Sequence, residues 1–271
     1  RTNCCEHFMG FDGFDRRGFN NSNNITYVNN RNAECTKKNI QRIQDLNKSL
    51  VRVNARDVGN AKNMKENELS MFQKHLYLCE GARVMLLINK WSLVGLTNGS
   101  IGTVRDFEYD VTDPNYMPPN LPRLVWVEFE PGNYKGPSFF PDDVTRSNWV
   151  PIPCTGANSK EGDVSSSRTM LPLKLCWSLT PWKVQGSTIR GKLLANLGIN
   201  EPSSGLAYVV FSRVRRFKDI AIEGGLCWDR LTNKINLKND FRERRKYEME
   251  VLLPKSALTL QRHTEENGIN I

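Results

Sequence analysis

Two stretches in the second half of the chain carry residue types that could do chemistry. Thr180-Pro181-Trp182-Lys183-Val184-Gln185-Gly186-Ser187-Thr188 gathers hydroxyls, an amide, a glycine and one cation. It follows an alternating apolar run, Leu173, Leu175, Trp177 and Leu179, which reads as a strand with one apolar face. A strand that ends in a Gly/Ser/Thr/Lys loop is where an open α/β sheet commonly holds phosphates or other ligands. The same composition also makes an ordinary turn with a polar rim. Further on, Leu206, Val209, Val210, Val214 and Phe217 share one helical face, with Ser203 or Ser204 available as the cap. Counting about 3.6 residues per turn puts Arg213 on that face too. An arginine aimed inward needs an anion, either a buried carboxylate or a bound phosphate. Spacing alone does not choose between them.

Other chemistries find little support. The seven cysteines (Cys4, Cys5, Cys35, Cys79, Cys154, Cys176 and Cys227) are odd in number and include no C-x-x-C pair. This argues against a secreted disulfide framework and for a reducing compartment. Cys4, Cys5 and His7 crowd together, but adjacent cysteines chelate poorly, and His75 and His263 lack ligand spacing, so no metal site is expected. Charge is more informative. Lys+Arg 38 against Asp+Glu 29 leaves +9, an excess that favours polyanion partners. Basic clusters stand at Arg213, Arg215, Arg216, Lys218 and at Arg242, Arg244, Arg245, Lys246. The second is interleaved with Glu243, Glu248 and Glu250 and reads as a solvated face.

The elements that must position these residues belong to one or two domains in a 271-residue chain. Residues 1–24 read as an irregular lead-in. Ile25 to Val28 is a strand candidate. Ile40, Ile43, Leu46 and Leu50 keep helical spacing and predict a helix from Cys35 to Leu50, then a strand from Leu50 to Val53. Val84 to Ile88 reads as a buried strand, too short to cross a bilayer. Asn98-Gly99 looks like a two-residue hairpin turn into a strand from Ile101 to Val104. Four prolines between Pro114 and Pro122 mark a loop, Leu124 to Phe129 a strand, and Thr155 to Arg168 an exposed loop. A last strand is expected at Ile220 to Ile222. The middle is therefore β-rich, between flanks that alternate strand and helix. No signal peptide opens the chain, and since Arg1 is not Met, an upstream part is expected to be missing.

At the two chemical stretches the chain resembles a known family. Thr180 to Thr188 is similar to the fifth conserved motif of PIF-type, RecD-like DNA helicases, T-I-H-K-S-Q-G-x-T. Ala207-Tyr208-Val209-Val210-Phe211-Ser212-Arg213-Val214-Arg215 resembles their sixth, Y-V-A-L-S-R-V-R. Gly81-Ala82-Arg83-Val84-Met85, Asn89 and Leu96-Thr97-Asn98-Gly99-Ser100-Ile101-Gly102-Thr103-Val104 are similar to the run G-x-x-V-M…N…L-x-N-G-x-x-G-x-V. Arg31-Asn32 ahead of Asn39 is weakly similar to the fourth motif. The order is the family's own, from Ile25 to Trp228.

The resemblance implies an α/β fold: a RecA-like parallel-sheet domain, 25–97 and 171–229, interrupted by a β-rich, barrel-like insertion at 98–170, with a tail at 230–271. It implies the C-terminal half of an ATP-dependent DNA helicase that moves on single-stranded DNA, typically 5′ to 3′, in replication, repair or recombination. The setting implied is intracellular and nuclear, with no membrane. By position, Thr180 and Lys183 hold the DNA backbone, Gln185 and Gly186 lie toward the nucleotide, and Arg213 is the arginine finger on the γ-phosphate. ATP and Mg²⁺ are held mainly by a missing N-terminal RecA-like domain.

There are departures. Trp182 stands where the family has His, able to stack on a base but not to copy the histidine hydrogen bond. Pro181 replaces Ile. Gly186-Ser187-Thr188-Ile189-Arg190-Gly191-Lys192-Leu193 matches G-x-x-x-x-G-K, but Leu193 replaces the Mg²⁺-binding hydroxyl, so it is read as a decoy. Glu128 imitates a Walker B acid but precedes that loop. Two other expectations compete with the helicase: a non-catalytic nucleic-acid-binding fragment of a decayed mobile-element helicase, and a complete nucleotide-binding protein that uses the decoy loop.

Overall fold

The computed structural model describes residues 25–161, 164–198, 203, 205–223, 245–258 and 261. Cys4, Cys5, His7, Ser204, Cys227, Arg242, Arg244, His263 and the 1–24 lead-in lie outside these residues. β-branched and aromatic residues make β1 (Ile25–Asn29). The helix α1 (Asn32–Gln44) then opens ahead of Cys35 and stops short of Leu50. The apolar spacing continues past its last turn, but Asn47 takes a left-handed backbone, φ 49°, which no helix continues through.

Next come β2 (Val51–Asn54), β3 (Arg56–Val58) and β4 (His75–Leu78). The strands β5 (Arg83–Leu86), β6 (Ile101–Glu108), β7 (Leu124–Phe129) and β8 (Trp149–Pro153) pair antiparallel in sequence order. A hairpin, β9 (Thr155–Glu161) and β10 (Val164–Met170), follows. The chain then runs through β11 (Leu173–Leu175), β12 (Ser178–Leu179), β13 (Lys192–Asn196), α2 (Leu206–Phe211) and β14 (Ile220–Ile222).

Two sheets carry the architecture. A parallel sheet has the order β12-β1-β13-β14, and a five-stranded antiparallel sheet the order β11-β5-β6-β7-β8. This is the mixed α/β arrangement expected, with a parallel sheet interrupted by antiparallel structure. Each sheet has its own core. Val28, Leu179, Leu193, Ala195 and Val210 pack beside the parallel sheet. Val84, Leu86, Val104, Val125, Val127 and Ile152 belong to a larger core that reaches β2 and β4.

Several sequence expectations need correction. Leu173 to Leu179 is not one strand: β11 pairs antiparallel with β5, while β12 pairs parallel with β1. Alternation marks a strand but not its partner, and here both faces are buried. Thr155 to Arg168 is not a loop but most of the β9–β10 hairpin. Its serines and threonines suit a pleated sheet, and backbone pairing rather than apolar content makes it a strand. Asn98-Gly99 is not a two-residue hairpin; it closes a long β5–β6 connection in which Leu86 N–H donates to Ser100 O at 2.9 Å. The strand β13, central in the parallel sheet, is absent from the sequence expectations altogether.

Two arginines tie the pieces together. Arg83, on β5, donates to Thr26 Oγ1 of β1 at 3.0 Å and pairs with Glu130, just after β7, at 2.9 Å. It thereby joins the parallel sheet to the antiparallel one. Arg168, fully buried on β10, makes a two-pronged bond to Asp57 of β3 at 2.7 and 3.0 Å. Its remaining donors reach the carbonyls of Phe72 and Ala61, both at 2.9 Å.

Candidate functional site

The loop after β12 is built to present side chains. Thr180 is buried, and its carbonyl accepts from Lys183 N–H at 2.9 Å, closing a single 3₁₀ turn, Pro181–Val184. Proline suits the first position of such a turn, because its missing N–H would have no partner there anyway. Ser187 then bonds back to the Val184 carbonyl through both N–H and Oγ, at 3.1 and 2.7 Å. Pro181 and Val184 face inward, and Trp182 and Gln185 are exposed. Trp182, Lys183, Gln185 and Gly186 all line one cleft of about 760 Å³. The sequence reading therefore assembles four of its six site residues on one surface. Thr180 lies beneath the turn.

The opposite lip of the cleft is one that sequence reasoning missed. It comes from the β5–β6 connection, Ser92 to Ile101, and from residues 130–135. Trp91 N–H donates to Leu96 O at 3.0 Å, and Lys135 N–H donates to Val94 O at 2.8 Å. Gly95 sits at φ 89°, where an added Cβ would collide with the Asn133 carbonyl, so only glycine lets these segments approach. The Leu96-Thr97-Asn98-Gly99 run carries the signal, as a turn and as part of the L-x-N-G-x-x-G-x-V resemblance, but neither places it at a cleft. Arg190, following the loop, donates to the Pro131 carbonyl and so spans from one lip to the other. Glu130 also lines the cleft, with its charge met by Arg83.

Arg213 departs from the expected geometry. The helix α2 ends at Phe211, so Arg213 lies just past it rather than on its apolar face, and Phe217 is 73% exposed. The end is locally determined. The Val209 carbonyl accepts from Arg213 Nε at 2.8 Å and Ser212 Oγ at 3.1 Å, while Arg213 N–H turns to the Val210 carbonyl. Arg213 Nη1 also reaches the Ser187 carbonyl at 3.3 Å, and Nη2 reaches Ser212 Oγ at 2.8 Å. Among the described residues no carboxylate pairs with it. Its backbone carbonyl accepts from Ile189 N–H at 2.9 Å, and Ile189 and Val214 form a parallel bridge. The two chemical stretches, distant in sequence, are thus hydrogen-bonded to each other.

The rest of the inventory narrows the chemistry. Lys192 and Leu193 of the G-x-x-x-x-G-K run lie within β13, so the run does not form the strand–loop–helix of a phosphate cradle. Glu128, on β7, is paired with Arg105 of β6. Among the described residues no cluster of three or more His, Cys, Asp or Glu gathers to hold a metal, and no helix is long and apolar enough to cross a membrane. Burial pushes the thiols of Cys154 and Cys176 up to about 12, and those of Cys35 and Cys79 also rise. The shift disfavours the reactive thiolate at all four. Asn39, in α1, is a buried clasp: it accepts from Ser178 N–H at 2.8 Å and donates to Ser178 O at 2.9 Å, holding the short β12 in place.

No family model matches the chain. It is similar to the ATP-dependent DNA helicase PIF6 of Trypanosoma brucei brucei, 28% identical over 201 residues, or 73% of this chain and 22% of that protein. It is also similar to the ATP-dependent DNA helicase PIF1 of Danio rerio, 31% identical over 147 residues, or 54% of this chain and 19% of that protein. The chain therefore spans about a fifth of the length of these relatives. Among solved structures, Bacteroides Pif1 bound to single-stranded DNA superposes with a TM-score of 0.60 at 21% identity, covering 84% of this chain and 46% of that one. Bacteroides Pif1 with ADP-AlF3 and single-stranded DNA gives 0.56 at 20%, covering 84% and 46%. The fold is that of the RecA-like Pif1 structures.

Proposed function

We propose that this chain, whose homologues are Pif1-family DNA helicases, is the second RecA-like motor domain, with its β-rich insertion, of an ATP-dependent DNA helicase. The motor part holds the parallel sheet, within 25–97 and 171–229, while β5 and β11 from those ranges pair into the antiparallel sheet of the insertion, 98–170. The full protein couples ATP hydrolysis to 5′-to-3′ movement on single-stranded DNA and to unwinding, in repair, recombination or replication of nuclear DNA. Lys183 holds the DNA backbone, the buried Thr180 supports its turn from beneath rather than touching the strand, and Trp182 stacks on a base. Gln185 and Gly186 lie toward the nucleotide. Arg213 is the finger that stabilises charge developing on the γ-phosphate. ATP and Mg²⁺ are held mainly by an N-terminal RecA-like domain, a reading supported by the G-x-x-x-x-G-K run here ending in β13 rather than opening a helix.

The observation that carries this reading is the state of Arg213. A structural arginine would be expected to meet a carboxylate. This one is held by two carbonyls and a hydroxyl against the loop that lines the cleft. Neutral acceptors orient a guanidinium without neutralising it, which leaves its charge for an anion. In the full protein, Arg213→Ala is expected to slow ATP hydrolysis by about 10³-fold or more, while single-stranded DNA binding stays close to normal. The melting temperature of the 271-residue chain should barely move. A large fall in melting temperature together with unimpaired ATPase would return Arg213 to a structural role.

A further inference from the structure

Apolar side chains stand in water on both lips of the cleft. Leu93 is 94% exposed at the turn 92–94 on one lip, and Trp182 is 50% exposed on the other. Neither position is slack. The hydrogen bonds of Trp91 and Val94 and the close approach at Gly95 hold the first lip, and the Thr180–Lys183 bond holds the second. Lys183 and Lys135 line the same cleft, and its one carboxylate, Glu130, is paired with Arg83. The cleft therefore offers two rigid apolar prongs and two cations.

A single strand of nucleic acid matches that pattern, because it exposes flat apolar base faces beside a run of phosphates. A duplex hides its base faces in the stack. Apolar side chains other than aromatic ones also take up base faces when they are wedged between steps. We infer that Leu93 and Trp182 form a base clamp, in which a single strand lies in the cleft with its bases held between the two lips and its phosphates toward Lys183 and Lys135. Stacking reads no base edge, so the clamp is tolerant of sequence. This rests on the single-stranded DNA reading above and adds the β5–β6 lip to the DNA path.

The test uses the 271-residue chain, with fluorescence anisotropy of labelled oligo-dT and of an abasic oligonucleotide of equal length. The wild type should prefer oligo-dT by roughly tenfold. Leu93→Ala should weaken oligo-dT binding roughly threefold or more, and Trp182→Ala roughly tenfold, with abasic binding unchanged in both. Lys183→Ala should weaken both ligands alike. Leu93 is so exposed that its loss should leave thermal unfolding unchanged, which keeps the result interpretable. If Leu93→Ala binds oligo-dT like the wild type, or the wild type shows no preference for bases, the clamp is overturned. Should Lys183→Ala still weaken binding in that case, the DNA reading survives without the clamp. If Lys183→Ala changes neither ligand, or the chain binds neither, both fail.

Discussion

Lys183 is a small test of a large claim. A cation that contacts a DNA phosphate releases a counterion on binding, so its removal should lower the slope of log K against log salt by roughly one contact. Measuring that slope for Lys183→Ala against single-stranded DNA checks it, and an unchanged slope would take Lys183 out of the DNA path. Two cysteines, the buried Cys176 and the half-buried Cys154, make a second prediction at this scale. Cys154 and Cys176 keep their protons in the fold up to about 12, against an ordinary value of 9.0, because burial penalises the thiolate. The folded chain then binds more protons than the unfolded one between those values. Their contribution to stability is whole below about pH 9 and is lost as pH rises toward 12. Urea midpoints across that range should fall, and Cys176→Ala should flatten the decline. Native thiol titration at pH 8 should find both groups slow to react.

At the scale of elements, the β9–β10 hairpin depends on one buried side chain. Arg168 satisfies Asp57, Phe72 and Ala61 from a fully buried position, so it joins β10 to β3 and to the segment that follows β3. Removing one partner of such a pair strands the other charge. Arg168→Ala is expected to cost about 3–5 kcal/mol, a fall of roughly 10 °C in melting temperature for a chain of this size. Asp57→Ala should cost a similar amount, and the two losses should be far from additive in the double variant. Calorimetry of the three variants checks this, and additive losses would show that the pair is not a unit. Little of this was legible beforehand. The serine-rich run 155–168 has the composition of a loop, and no local rule tells that its one arginine is the buried anchor of a strand. The clasp made by Asn39 was hidden for the same reason: its partner, Ser178, lies far along the chain.

At the scale of the molecule, the 271-residue chain alone is expected not to hydrolyse ATP at a helicase-like rate. Phosphoryl transfer needs a phosphate cradle and a Mg²⁺ ligand, and an arginine finger supplies neither. Steady-state ATPase of the purified chain with single-stranded DNA tests this; stimulated turnover that survives Lys192→Ala would overturn it. The fold nevertheless carries a means of linking its parts. Arg83 holds β1 and Glu130 together, Arg190 ties the loop after β12 to Pro131, and Arg213 meets that loop at Ser187. A displacement of the loop after β12 would therefore be felt both at Arg213 and at Pro131.

The amino-acid sequence by itself determined the ingredients and their order: the cation and hydroxyls of 180–188, Arg213, the alternating strand at Leu124–Phe129, and the excess of positive charge. These rest on residue type and short-range period, which are local properties. Tertiary structure decided what pairs with what. It divided Leu173 to Leu179 between two sheets, placed β13 between β1 and β14, and freed Arg213 from the helix face that a 3.6-residue count had assigned to it. It also brought the β5–β6 connection across from Trp182 to make a cleft from two halves of the chain. Strand partners and opposing lips are set by contacts between residues far apart in sequence, where backbone groups must find hydrogen bonds and apolar faces must find cover. Local pattern carries no record of which distant segment will supply them.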